Sequence, residues 1–122
     1  MTLRRGIALA IFVLAAIGVA LAAGATGKWT ATFNTQVGEQ KYTWDLTANG
    51  SMLTGTYMST NGSGPIMDGK IEGDDLSWVE MLKYQDMDLK IQYKAKMAGD
   101  ELKIQRNVAD IANEEATAKR AN

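Results

Sequence analysis

From Lys28 onward, apolar and polar residues alternate with a period of two, in short runs separated by glycine and Asn/Asp clusters. A period of two sends successive side chains to opposite faces, so the runs predict half-buried strands. Lys28–Gln36 sets Trp29, Ala31 and Phe33 against Lys28, Thr30, Thr32 and Asn34. Gln40–Thr47 shares Tyr42, Trp44 and Leu46 on one face, and Met52–Ser59 shares Leu53, Gly55 and Tyr57. Pro65–Glu72 is a weaker strand whose proline is tolerable only at its start. Leu76–Lys83, Met87–Met97 and Leu102–Val108 follow, the middle one with the cleanest alternation in the chain. The last segment, Ala112–Arg120, is compatible with helix by propensity. We read it as a strand, because a closed sheet needs a closing partner.

Turn chemistry falls between the runs. Asn49-Gly50 is a strong hairpin signal, because both residues tolerate positive φ. Thr60–Gly64 (TNGSG) is the most flexible loop by composition. The pattern G-[DS]-x-L recurs at Gly50–Leu53, Gly73–Leu76 and Gly99–Leu102, each time where one strand ends and the next begins. Eight strands in sequential hairpins predict an all-β, eight-stranded antiparallel up-and-down barrel. Closure also suits a chain without cysteine, since no disulfide staples it and a barrel has no open edge.

The barrel accounts for residues 26–122. Residues 1–25 have the order of a secretory signal peptide: Arg4 and Arg5, an unbroken apolar stretch Ile7–Leu21, then small residues. Both Ala20-Leu21-Ala22 and Ala23-Gly24-Ala25 fit an A-x-A cleavage site. The expected location is secreted or periplasmic, with no stable membrane association once the leader is removed. An uncleaved anchor is the alternative, because the apolar stretch approaches the ~20 residues that span a bilayer.

Composition narrows the chemistry. The formal charge of −1 becomes −3 once Arg4 and Arg5 leave with the leader, and no basic stripe suggests a nucleic-acid partner. The chain has no histidine and no cysteine. That removes His- or Cys-dependent nucleophilic catalysis and the usual zinc sites, so no metal, cofactor or catalytic residue is expected. Asp74-Asp75, Asp100-Glu101 and Asp86-x-Asp88 lie at expected turns, where acids favour the local geometry and water.

Two resemblances emerge from these motifs. Gly27-Lys28-Trp29, followed by Asn49–Tyr57 (NGSMLTGTY), resembles the opening of avidin and streptavidin over the first third of the barrel. That resemblance implies a biotin-type site with Tyr57 and Ser59 at contact positions, Thr35 near another, and Thr60–Gly64 as a flap. The chain has only Trp29, Trp44 and Trp78, whereas the family walls its pocket with later tryptophans, and Ala31 stands where the family places an asparagine. The barrel therefore transfers better than the ligand. Across nearly its whole length, GKWTATFNTQVGEQKYTWDL, DGKIEGDDLSWVEML and the segment from Asp88 to Arg120 resemble a small secreted bacterial domain. That domain occurs alone or attached to glycoside hydrolases. The implied role is a non-catalytic accessory module of carbohydrate-active systems. The alternatives are a free-standing small-molecule-binding barrel and, less favoured, a glycoside hydrolase in its own right. The corresponding partners are a small molecule or saccharide, an enzyme, or a second copy of the chain.

Two charges stand in apolar phase: Glu80 with Leu76, Trp78 and Leu82, and Arg106 with Leu102, Ile104 and Val108. An unpaired inward charge costs several kcal/mol. Either a bulge turns them outward, or they pair internally (with each other, or Arg106 with Glu114 or Glu115), or they contact a ligand. The candidate ligand residues are thus Thr35, Tyr57, Ser59, Trp78, Glu80 and Arg106. Arg120 or Lys119 is expected over Trp29 as a cation–π cap. Met52, Met58 and Met81, off the apolar phase, are expected to form an exposed strip for docking.

Overall fold

The computed structural model describes residues 24–121; the leader, apart from Gly24 and Ala25, lies outside them. The strands are β1 (Gly27–Thr35), β2 (Gly38–Asn49), β3 (Met52–Ser59), β4 (Gly62–Pro65), β5 (Met67–Glu72), β6 (Asp75–Tyr84), β7 (Met87–Ala98), β8 (Glu101–Val108) and β9 (Ala112–Ala121). Sequential neighbours pair antiparallel, and β9 returns to β1 through Lys28↔Ala121, Trp29↔Arg120 and Thr30↔Lys119. The segments β4 and β5 form one stave interrupted at Ile66, since both pair with β3. The result is the closed eight-stranded antiparallel barrel.

Alternation decides which side chains fill it. The burial of β1 and β2 follows a period of two, with Trp29, Ala31, Phe33, Tyr42, Trp44 and Leu46 inside. The register lines Trp29 up with Trp44, and Trp44 with Tyr57. The inner aromatic rings interlock: Tyr42 stacks on Trp44 at 5.3 Å, Trp78 stacks on Tyr93 at 5.0 Å, and Trp44 meets Trp78 edge to face at 5.9 Å. Each such pair adds roughly 0.5–1.5 kcal/mol beyond area burial. The interior is therefore aromatic and filled, as expected for so few strands. The last strand overrides its helical propensity because Ala116 and Ala118 pair with Ile104 and Leu102 and close the core with small side chains.

The expected strand Pro65–Glu72 is present as β5, Met67–Glu72, but the start of this stave departs from the sequence expectation. Only Thr60 and Asn61 form the turn, and Gly62–Pro65 pairs with the end of β3 rather than standing as a loose flap. Gly64 explains why this stretch is glycine-rich. The Tyr57 ring crosses over it, and a Cβ there would lie 3.3 Å from the ring. The Tyr57 hydroxyl thereby reaches across to donate to the Met81 carbonyl on β6 at 3.0 Å. Gly55, inside the LTGTY motif, is also structural: a Cβ would come within 2.1 Å of the Asp45 carbonyl oxygen on β2.

Hairpins alternate between two ends. One end, here the mouth, carries the β1–β2, β3–β4, β6–β7 and β8–β9 turns. The other, the base, carries the β2–β3, β5–β6 and β7–β8 turns, the start of β1 and the end of β9.

Candidate functional site

Neighbouring strands set Trp78, Tyr93, Arg106 and Glu114 in one lateral row of the register, all facing inward. Glu80 follows Trp78 on the same face of β6. Arg106 in this row and Glu80 in the next, opposite Ile91, are the two buried charges among the described residues.

Arg106 is held on every side. Its guanidinium lies 3.8 Å from the centre of the Phe33 ring and 5.0 Å from that of Tyr42. Nε donates to Glu114 Oε1 at 2.8 Å, and Nη2 reaches the same oxygen at 2.6 Å. Nη1 donates to the Tyr93 hydroxyl at 3.1 Å and Nη2 to Gln40 Oε1 at 3.3 Å. Burial works against the charge, but Tyr93, Tyr42 and the Glu114 bond outweigh it and raise the pKa, so the guanidinium stays charged. Of the three sequence readings, internal pairing describes Arg106, and the partner is Glu114. Glu115 points outward, within 3.4 Å of Gln105 Nε2.

Glu80 is fully buried, and its partners are indoles rather than Arg106. Oε2 accepts from Trp44 Nε1 at 2.7 Å and from Trp78 Nε1 at 2.9 Å. Oε1 has no hydrogen-bond partner among the described residues. Burial pushes the carboxyl pKa up. The two indole N–H groups, then the Tyr93 hydroxyl and Arg106, pull it only part of the way back. The same burial, with Glu80 nearby, raises the Tyr93 and Tyr57 hydroxyls.

The other candidates separate from this cluster. Thr35 and Ser59 serve equivalent turns at the mouth. Thr35 Oγ1 donates to the Gly38 carbonyl at 2.8 Å and accepts from Val37 N at 3.2 Å. Ser59 Oγ donates to the Gly62 carbonyl at 2.9 Å and accepts from Asn61 N at 3.3 Å. Each hydroxyl closes its own hairpin. Tyr57 and Trp78 are core residues whose polar atoms are satisfied internally.

At the mouth lies a pocket of about 160 Å³, lined by Thr35, Tyr42, Leu82, Ile91, Arg106 and Glu114 among others. Larger concavities of about 860 and 510 Å³ lie elsewhere, beside Lys94 and Gln105 and beside Met52 and Asp68. Tyr42 is 2% exposed, and its hydroxyl has no partner among the described residues. Val37 and Ile111, at the tips of two mouth hairpins, are 70% and 76% exposed. Sequence reasoning named Thr35, Arg106 and Glu114 but missed Gln40, Tyr93 and the Tyr42 hydroxyl. Tyr42 and Tyr93 read simply as core aromatics, and only the register brings their hydroxyl ends toward Arg106.

No protein-family model matches this chain, and no curated protein matches its sequence.

Proposed function

We propose that the protein is a secreted, non-catalytic barrel module that accompanies carbohydrate-active enzymes and offers its outer surface and mouth, not its interior, for recognition. The observation that carries this reading is the engagement of the interior charges with the barrel's own lining. Glycoside hydrolysis requires two carboxyl groups about 5–9.5 Å apart across a cleft that admits sugar and water. Glu80 lies fully buried against two indoles, and Glu114 is tied to Arg106. Glu80 reaches no such cleft, and Glu114 lines the mouth pocket with no second carboxylate in its lining. Partner docking is supported by the outer face of β3 to β6, where Met58, Met67 and Met81 are exposed. Thioether side chains adapt to varied apolar surfaces.

The test combines turnover and binding on the exported protein. Aryl glycosides are expected to remain intact, while amide shifts on adding soluble oligosaccharides or a host glycoside hydrolase fall on the mouth and the methionine face. Turnover that disappears in Glu80→Gln would overturn the non-catalytic reading.

A small-molecule carrier is the second reading, favoured by the unpartnered Tyr42 hydroxyl at the mouth pocket. The volume is well below the roughly 300–1,000 Å³ of drug-sized sites, so the ligand would be a fragment such as a single ring. Native mass spectrometry of protein from its host separates the two readings: a retained small adduct supports the carrier, and bare protein supports the module.

A further inference from the structure

We infer that the leader is cut at the Ala22–Ala23 bond, so that the mature chain begins at Ala23 rather than Thr26. The inference rests on the export reading above and selects between the two A-x-A sites. Gly24 and Ala25 belong to the folded barrel. Ala25 is 1% exposed and packs in the core. Its carbonyl accepts the Trp29 indole N–H at 2.9 Å. The carbonyl of Gly24 accepts Arg120 Nη2, and that of Thr26 accepts Arg120 Nη1 at 2.9 Å. The Arg120 guanidinium lies 4.3 Å from the centre of the Trp29 ring, and its Nε donates to Asp100 Oδ1 at 3.2 Å. Two side chains thus grip three successive carbonyls.

Hydrolysis after Ala25 would remove two of those three carbonyls. It would leave the indole N–H of Trp29, a residue with no exposed surface, without its acceptor. It would also create an α-ammonium on Thr26, whose own carbonyl is bound to the Arg120 guanidinium, and so set two positive charges side by side. Hydrolysis after Ala22 leaves the clamp whole. There a signal peptidase adds water across the Ala22–Ala23 peptide bond. The hydroxyl goes to the Ala22 acyl carbon and the proton to the new Ala23 amine, which lies outside the gripped carbonyls.

The test is to express the full chain with its leader in a secreting bacterium and to determine the intact mass and N-terminal sequence of the exported protein. An Ala23 start is expected, and a Thr26 start overturns the inference while leaving export intact. Recovery of uncleaved chain overturns the export reading, and the inference with it. Ala22→Leu is expected to block processing; continued release of a chain starting at Thr26 overturns the assignment. Leaderless chains 23–122 and 26–122 give an independent check. The shorter is expected to melt roughly 5–10 °C lower and to lose exchange protection of the Trp29 indole proton. Equal melting with equal protection overturns the structural argument.

Discussion

The two ends of the barrel are finished by different chemistry. At the base, three hairpins repeat one solution. Gly50, Gly73 and Gly99 sit at φ of 62°, 60° and 64°, each followed by the leucine that re-enters the core. At the mouth no solution repeats throughout. Thr35 and Ser59 close two turns with their hydroxyls, while Gln85, Asp86, Ala109 and Asp110 take left-handed backbone without glycine. Each end also carries an arginine on an aromatic ring, but the side chain of Arg120 at the base is 30% exposed and that of Arg106 beneath the mouth only 2%. The base is built for local folding, with turns that any sheet could use. The mouth keeps a buried charge, unfavourable turn conformations and bare apolar tips, features that folding alone does not require.

The largest way to break this contrast is Arg106→Ala. It strands Glu114 and removes the stack on Phe33, and about 3–5 kcal/mol of stability should be lost in urea unfolding. Arg106→Met, which fills the same space without charge, should recover much of that loss. Arg120→Ala should cost less, roughly 1–2 kcal/mol, because a partly exposed cation–π contact and its hydrogen bonds are weaker and solvent can replace them. Equal losses at the two arginines would erase the distinction between the buried Arg106 at the mouth and the Arg120 clamp at the base.

Glu80 sharpens the contrast through pH. Its pKa is raised in the folded chain above the ordinary 4.5. The folded state then holds its proton more tightly than the unfolded state does. The stability this contributes is fully present below pH 4.5 and is lost as pH rises through the folded pKa. Glu80→Gln keeps an acceptor for the indoles and removes the titration. The variant should match the wild type near pH 4, exceed it at pH 8, and flatten the slope between. A parallel slope in both proteins would show that another group is responsible. The smallest effects lie in the turns. Gly99→Ala meets no atom within 4 Å, so its cost of about 1 kcal/mol is purely conformational. Ala109→Gly should gain about 0.5 kcal/mol by relieving the left-handed backbone at the mouth.

The architecture was legible in the alternation because nearly every strand has one wet and one dry face. Met87–Met97 is unmistakable on that ground, and even Ala112–Arg120 follows once Ala116 and Ala118 are seen in phase. Pro65–Glu72 reads as a strand, and Met67–Glu72 is one, but the strand Gly62–Pro65 reads as loop, because the glycines of this stave at Gly64 and Gly69 serve close approaches rather than flexibility. Gly64 underlies Tyr57, and a Cβ on Gly69 would fall 1.9 Å from the Leu53 carbonyl oxygen. The site was half legible. Glu80 and Arg106 announced themselves as charges in apolar phase, and Glu114 lay among Arg106's possible partners. That Glu80 binds two indoles depends on Trp44, 36 residues away on β2, crossing the barrel to meet Trp78, which lies 2 residues from Glu80 on the same strand. No local pattern encodes that meeting. Thr35 and Ser59 carry turn chemistry that resembles ligand chemistry at the level of residue type.

The two indoles on one carboxylate also give the protein a built-in optical probe. The chain has three tryptophans, each nearly or fully buried with its N–H engaged, two of them on Glu80 and one on Ala25. Emission from the folded chain should therefore lie at short wavelength. The Trp44 and Trp78 contribution should shift when Glu80 gains or loses its proton, while Trp29 stays constant as an internal reference. A single fluorescence spectrum then reads the charge state at the centre of the barrel and the integrity of its base at once.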